Sequence, residues 1–140
     1  MSKPFPSPEY IKECIENAGR LWEEWEPKGG DWAWHQRYGA GLVINTELSW
    51  GCDILFQDWA NRKVMPMHPQ KLIPLFQPRQ LWEMLEERGY EVFLRTSKDP
   101  ECPPAYVDVV EGQEQVARGF GPDPATALLR AWLEVVKDGD

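Results

Sequence analysis

Within residues 32–63 the chain gathers Trp32, Trp34, Trp50 and Trp59 with His35, Arg37, Arg62 and Lys63. Flat indole faces stack on nucleobases, and cations beside them neutralise phosphate. Trp32, Trp34, His35, Arg37, Trp59 and Arg62 are therefore the candidate ligand-binding residues, with a small nucleotide as the ligand this chemistry suits. The same side chains have a plainer use, as a second aromatic cluster that packs a hairpin onto helices. Both readings stand at the level of sequence.

Acid–base chemistry has a thinner basis. Asp31 with His35, or His35 with Asp53, would supply a carboxylate–imidazole pair, and His68 a further proton carrier. With 23 acids in 140 residues, some acid lies near any histidine by chance. The chain has no Gly-x-Ser-x-Gly elbow, phosphate loop or His-Glu-x-x-His helix. Gly39-Ala40-Gly41 lacks the next glycine and the helix start of a dinucleotide loop. No catalytic residue is assigned. Cys14, Cys52 and Cys102 are an odd number without paired spacing, which predicts free thiols and neither a metal site nor a cofactor.

These residues need elements to hold them. Ser7-Pro8-Glu9 starts a helix whose apolar stripe, Ile11, Cys14, Ile15, Ala18, Leu21, Trp22 and Trp25, runs to Glu26. Trp22 and Trp25 on this stripe, like Trp132 on the stripe of the closing helix, are placed in the core. Alternation through Trp32–Tyr38 sets Trp32, Trp34 and Tyr38 on one strand face and His35 and Arg37 on the other. Gly39-Ala40-Gly41 would turn that strand into Leu42–Asn45. Weaker extended pieces follow at Asp53–Phe56 and Lys63–Met67. Prolines at 66, 69, 74 and 78 make 65–77 mostly loop with one short helical turn.

The last third carries the clearest signals. Pro78–Gly89 reads as a helix, with Pro78 at its first position and Gly89 able to stop it. Alternating runs at Tyr90–Thr96, Ala105–Val110 and Glu114–Phe120 follow, and Asp123-Pro124 starts a closing helix. The expected fold is α+β: an N-terminal helix and β-hairpin region, 1–77, then an α-β-β-β-α unit over 78–137 with a three-stranded antiparallel meander. At this length the whole, 1–140, is read as one domain. Leu85, Val92, Val107, Leu128, Leu129 and Trp132 should share its core.

A net charge of −8 disfavours duplex nucleic acid, which requires a basic surface. No apolar run reaches the ~18 to 20 residues of a membrane span, and the first residues lack a signal-peptide core, so the expected location is cytoplasmic.

Two stretches, Pro78-Arg79-Gln80-Leu81-Trp82-Glu83-Met84-Leu85-Glu86-Glu87-Arg88-Gly89-Tyr90-Glu91-Val92 and Gly121-Pro122-Asp123-Pro124-Ala125-Thr126-Ala127-Leu128-Leu129-Arg130-Ala131, resemble the helical ends of the phage "ABA sandwich" domain. Upstream, Trp25-Glu26-Pro27 and Gly30-Asp31-Trp32 are similar to small prophage proteins of Gram-positive bacteria. The likeness covers about the last 60 residues. It implies a phage or prophage origin, hence a host-cell cytoplasmic setting, and an α-β-α layered fold. It implies no activity and carries over no catalytic residue. The long first helix and aromatic middle depart from the minimal domain. The function expected from the whole is a non-catalytic phage binding protein that antagonises a host defence. Its partner would be a host protein or a small nucleotide signal, with a homodimer as the expected oligomer. The alternative is a small hydrolase using His35 and nearby acids.

Overall fold

The computed structural model describes residues 5–46 and 54–138. Trp50, Cys52 and Asp53, each part of an expectation above, lie outside them. Among the described residues the chain is α+β, with four helices and eight strands in two antiparallel sheets. It groups into two compact units, one of Ile11–Phe76 and one of Met1–Tyr10 with Gln77–Asp140.

The N-terminal helical stretch is two helices, α1 (Pro8–Glu16) and α2 (Ala18–Glu23), rather than one helix to Glu26. Asn17 makes the break. Its Nδ2 donates to the Glu13 carbonyl at 2.8 Å, and its backbone, at φ −119° and ψ 24°, leaves the helical basin. An asparagine that bonds locally in this way competes with the helix ladder.

Strands β1 (Trp32–His35), β2 (Gly39–Asn45), β3 (Ile54–Asp58), β4 (Val64–Met67) and β5 (Leu72–Pro74) form one sheet in the order β4-β3-β2-β1-β5. The hairpin turn occupies residues 36–38, ahead of the glycines expected to make it. Gly39 takes the positive φ of 78°, whereas Gly41 sits inside β2. A side chain at Gly41 would strike the Phe56 ring, whose Cζ lies 2.5 Å from a Cβ built there, and the Gln57 carbonyl oxygen. Its glycine is thus required by packing, not by the turn. Two of the prolines that marked this region as loop lie in strands, Pro66 in β4 and Pro74 in β5. Both strands are sheet edges, where a residue without an N–H is tolerated.

One face of this sheet is core: Ala33, Val43, Ile54, Phe56, Met67 and Leu72 are buried together, with Trp25, Tyr38 and Met65 packed against them. Tyr38 therefore belongs with Ala33 and not with Trp32 and Trp34, because the turn interrupts the alternation that grouped them. The opposite face carries Trp32, Trp34, Leu42, Leu55, Val64 and Ile73, none of them buried.

The second unit is α3 (Pro78–Glu87), strands β6 (Glu91–Thr96), β7 (Ala105–Glu111) and β8 (Glu114–Gly121) in the order β6-β7-β8, and α4 (Pro124–Asp138). Gln77 and Gln80 close a reciprocal capping box on α3. Asp123 caps α4, its Oδ1 accepting from the Thr126 N–H at 2.9 Å, while Oδ2 accepts from the Ser7 hydroxyl at 2.8 Å. Leu85, Val92, Val107, Leu128, Leu129 and Trp132 are all buried. Val92, Val109 and Ala117 fall in register on the face that α4 covers, and α3 packs beside α4. Both helices thus share one face, giving two layers where the resemblance implied helix, sheet, helix.

Candidate functional site

On the unit Ile11–Phe76, an open groove of about 850 Å³ runs along the β1–β5 edge. Trp34 and Ile73 form its floor as register partners across those strands. His35, Gln36 and Arg37 follow Trp34 into the turn, and Gln70 and Lys71 precede β5. Ile15 and Trp22 complete the lining from the helical side. The Trp22 indole is fixed by its N–H, which donates to the Leu72 carbonyl of the edge strand at 2.5 Å. Trp22 is 43% exposed, so the apolar stripe that placed it in the core was misleading. Together with Gln70 it also borders a second hollow, lined by Trp25, Pro27 and Pro69.

The groove is electropositive in an acidic chain. Lys71 and Arg37 line it, and among the described residues its lining holds no carboxylate. Burial, then Lys71 and Arg37, hold the His35 pKa below its ordinary value. The local hydrogen bond agrees: His35 Nδ1 accepts the backbone N–H of Arg37 at 3.1 Å, so the ring's proton sits on Nε2. The ring also stacks on Tyr38, with centroids 5.0 Å apart, and the Arg37 guanidinium lies 5.5 Å from the Tyr38 centroid. The arrangement offers two indole faces, two cations and one neutral N–H donor.

The six residues singled out from sequence fall into two groups. Trp34, His35 and Arg37 line the groove. Trp32, Trp59 and Arg62 make a separate stack: the Trp32 and Trp59 rings are 5.2 Å apart, and Arg62 lies 5.4 Å from the Trp59 centroid. Sequence reasoning missed Ile15, Trp22, Gln36, Gln70, Lys71 and Ile73. Their only signal there was an aromatic in a helical stripe and a lysine between prolines.

Asp58 holds the loop that carries Trp59 and Arg62. It is buried, and Oδ1 accepts the N–H groups of Ala60 and Asn61 at 2.8 and 3.3 Å, while Oδ2 accepts from Asn61 Nδ2 at 3.0 Å. Burial pushes its pKa up, but the hydrogen bonds from Asn61 and Ala60 outweigh that and leave it lowered. A depressed carboxylate pKa stabilises the fold above the unfolded value of about 3.9, and that contribution is lost as pH falls through the folded value. Asp58→Asn should therefore melt below the parent at pH 7, and the gap should close in acid. Thermal melts between pH 7 and 2.5 check this; a gap that stays constant would show that the charge is irrelevant.

The acid–base pairs fare differently. Asp31 Oδ2 accepts from Trp25 Nε1 at 3.1 Å and from the Lys28 N–H at 3.0 Å. Four residues of extended chain, roughly 13 Å, separate Asp31 from His35. His68 Nδ1 accepts the Gln70 N–H at 3.2 Å and so starts the helical turn Pro69–Lys71. Cys14 is buried and Cys102 exposed. Among the described residues no helix is long and apolar enough to cross a membrane.

Comparison of the chain with protein-family models, with curated proteins and with solved structures returns no match.

Proposed function

We propose that this chain is a non-catalytic binding protein whose groove takes a small, flat, anionic ligand of the nucleotide type. One observation carries the reading: Trp22 and Trp34 line the same groove as Arg37 and Lys71, with no carboxylate in its described lining. Indoles receive the base, the cations receive phosphate, and the neutral His35 Nε2–H donates to an oxygen. A histidine general base becomes an imidazolium as it takes up the proton, and His35 has two cations opposing that charge. Binding therefore fits this site better than hydrolysis. The resemblance of residues 78–92 and 121–131 to the phage ABA sandwich domain supports a phage setting. There, a protein of this kind would withdraw a nucleotide signal from a host defence.

Trp34→Ala should weaken adenosine 5′-monophosphate binding by roughly 5- to 150-fold, the worth of one stacked base. It should leave the melting temperature near the parent's, because Trp34 lies on the open sheet face. Ligand-dependent quenching of tryptophan fluorescence and thermal shift measure the two effects. Parent protein that responds to no linear or cyclic mono- or dinucleotide would refute the reading.

A further inference from the structure

The groove is one end of a longer surface. Trp32 and Trp34 project from the same sheet face two residues apart, a separation of roughly 6.6 Å. The Trp59 ring tilts against Trp32 at 5.2 Å, and the Arg62 guanidinium covers Trp59 at 5.4 Å. Trp59 is 49% exposed. The aromatic line thus runs from Trp22 and Trp34 through Trp32 to Trp59, with Lys71 and Arg37 at one end and Arg62 at the other. Among the described residues, no strand residue on this outward face is acidic.

Arg62 adds an independent observation. It is the one non-glycine residue at positive φ among those described, at 56°. Left-handed backbone is costly for a residue with a Cβ, and glycine would remove the cost. The loop nonetheless carries arginine there. The Gln57 side-chain amide donates to the Arg62 carbonyl at 3.3 Å, and the Asp58 network braces the same turn. The conformation sets the guanidinium over Trp59.

We propose that this face binds a short single-stranded oligonucleotide, with one base in the groove against Trp34 and the next on the Trp32–Trp59 stack. Lys71 and Arg37 meet one phosphate and Arg62 the other. This rests on the groove reading above and names its ligand class. The spacing suits it: neighbouring bases drawn slightly apart can each lie on an indole, and every base has a π-face to offer. The chain's net charge of −8 limits the length. A long polyanion would extend beyond the face and meet the acidic remainder of the surface, so the affinity gain should stop at two or three nucleotides.

The test compares thymidine 5′-monophosphate, pTpT and dT10 by fluorescence titration at fixed salt. pTpT should bind roughly 5- to 150-fold more tightly than the mononucleotide, with little added by dT10. Trp59→Ala should erase that gain and leave the mononucleotide affinity unchanged. Arg62→Gly should weaken pTpT alone, and because glycine accepts this backbone it should stay folded, so the result reads the cation. Equal affinity for one and two nucleotides would overturn the proposal and leave the groove reading intact. So would a gain that survives Trp59→Ala, or a parent that covers the face by dimerising and binds pTpT no better than the mononucleotide. If neither nucleotide binds, both readings fall.

Discussion

Gly119→Val should unfold the unit built on β6–β8 and α4. A Cβ at Gly119 would run into the Ala127 carbonyl oxygen and come within 2.5 Å of the Ala131 nitrogen. Both are backbone atoms of α4, so no rotamer change relieves the clash. The helix would have to lift off β8, and Leu128, Leu129 and Trp132, now 2, 0 and 0% exposed, would lose their packing. Overpacking in cores costs about 1–3 kcal/mol where side chains can adjust, and rigid backbone puts this case at or above the top of that range. A loss of about 3 kcal/mol lowers the melting temperature of a domain this size by roughly 12–24 °C. Circular dichroism melts check it. A valine variant that melts with the parent would mean α4 does not sit on β8 as described.

Phe56→Ala should be nearly as damaging to the sheet that carries the site. Phe56 is fully buried, and its ring lies over the bare backbone of Gly41 on the neighbouring strand. Truncation leaves a cavity among Val43, Ile54, Met67 and Leu72 that the glycine cannot fill. Loss of a buried phenylalanine costs about 3–5 kcal/mol. Because β2 lies between β3 and β1, the same change should loosen the strand that presents Trp34 and weaken nucleotide binding as well. Parent-like melting together with parent-like binding would contradict the role given to this ring.

The α-β-β-β-α unit was legible because its signals are local. Pro78 and Asp123 start its helices, and Gly89, at φ 88°, ends α3 within two residues of its last turn. Each strand of the meander is bounded by its own turn residues. The sheet of the other unit was harder to read because it depends on pairing between distant residues. β5 is three residues long and exists because Leu72, Ile73 and Pro74 find β1, which no periodicity announces. Missing β5 hid Lys71 and Ile73 from the site. Gly41 was misread because glycine signals both turns and close packing, and only the Phe56 ring tells which. Trp22 was misread because a helical stripe predicts which residues share a face, not how much of that face is covered. Trp34, His35 and Arg37 were legible as neighbours, since all three lie on a single strand and its turn, and they line one groove.

The central claim is that the groove beside Trp34 is a ligand site, and its most direct test is a nuclear magnetic resonance titration of the intact chain with adenosine 5′-monophosphate. The indole N–H signals of Trp22 and Trp34 and the His35 ring protons should move together and saturate with one dissociation constant. The fully buried Trp132 should stay in place. The His35 pKa should also rise on binding, because a bound phosphate opposes the effect of Lys71 and Arg37. Unmoved Trp34 and His35 signals at saturating nucleotide, or shifts confined to residues outside the groove, would contradict the account.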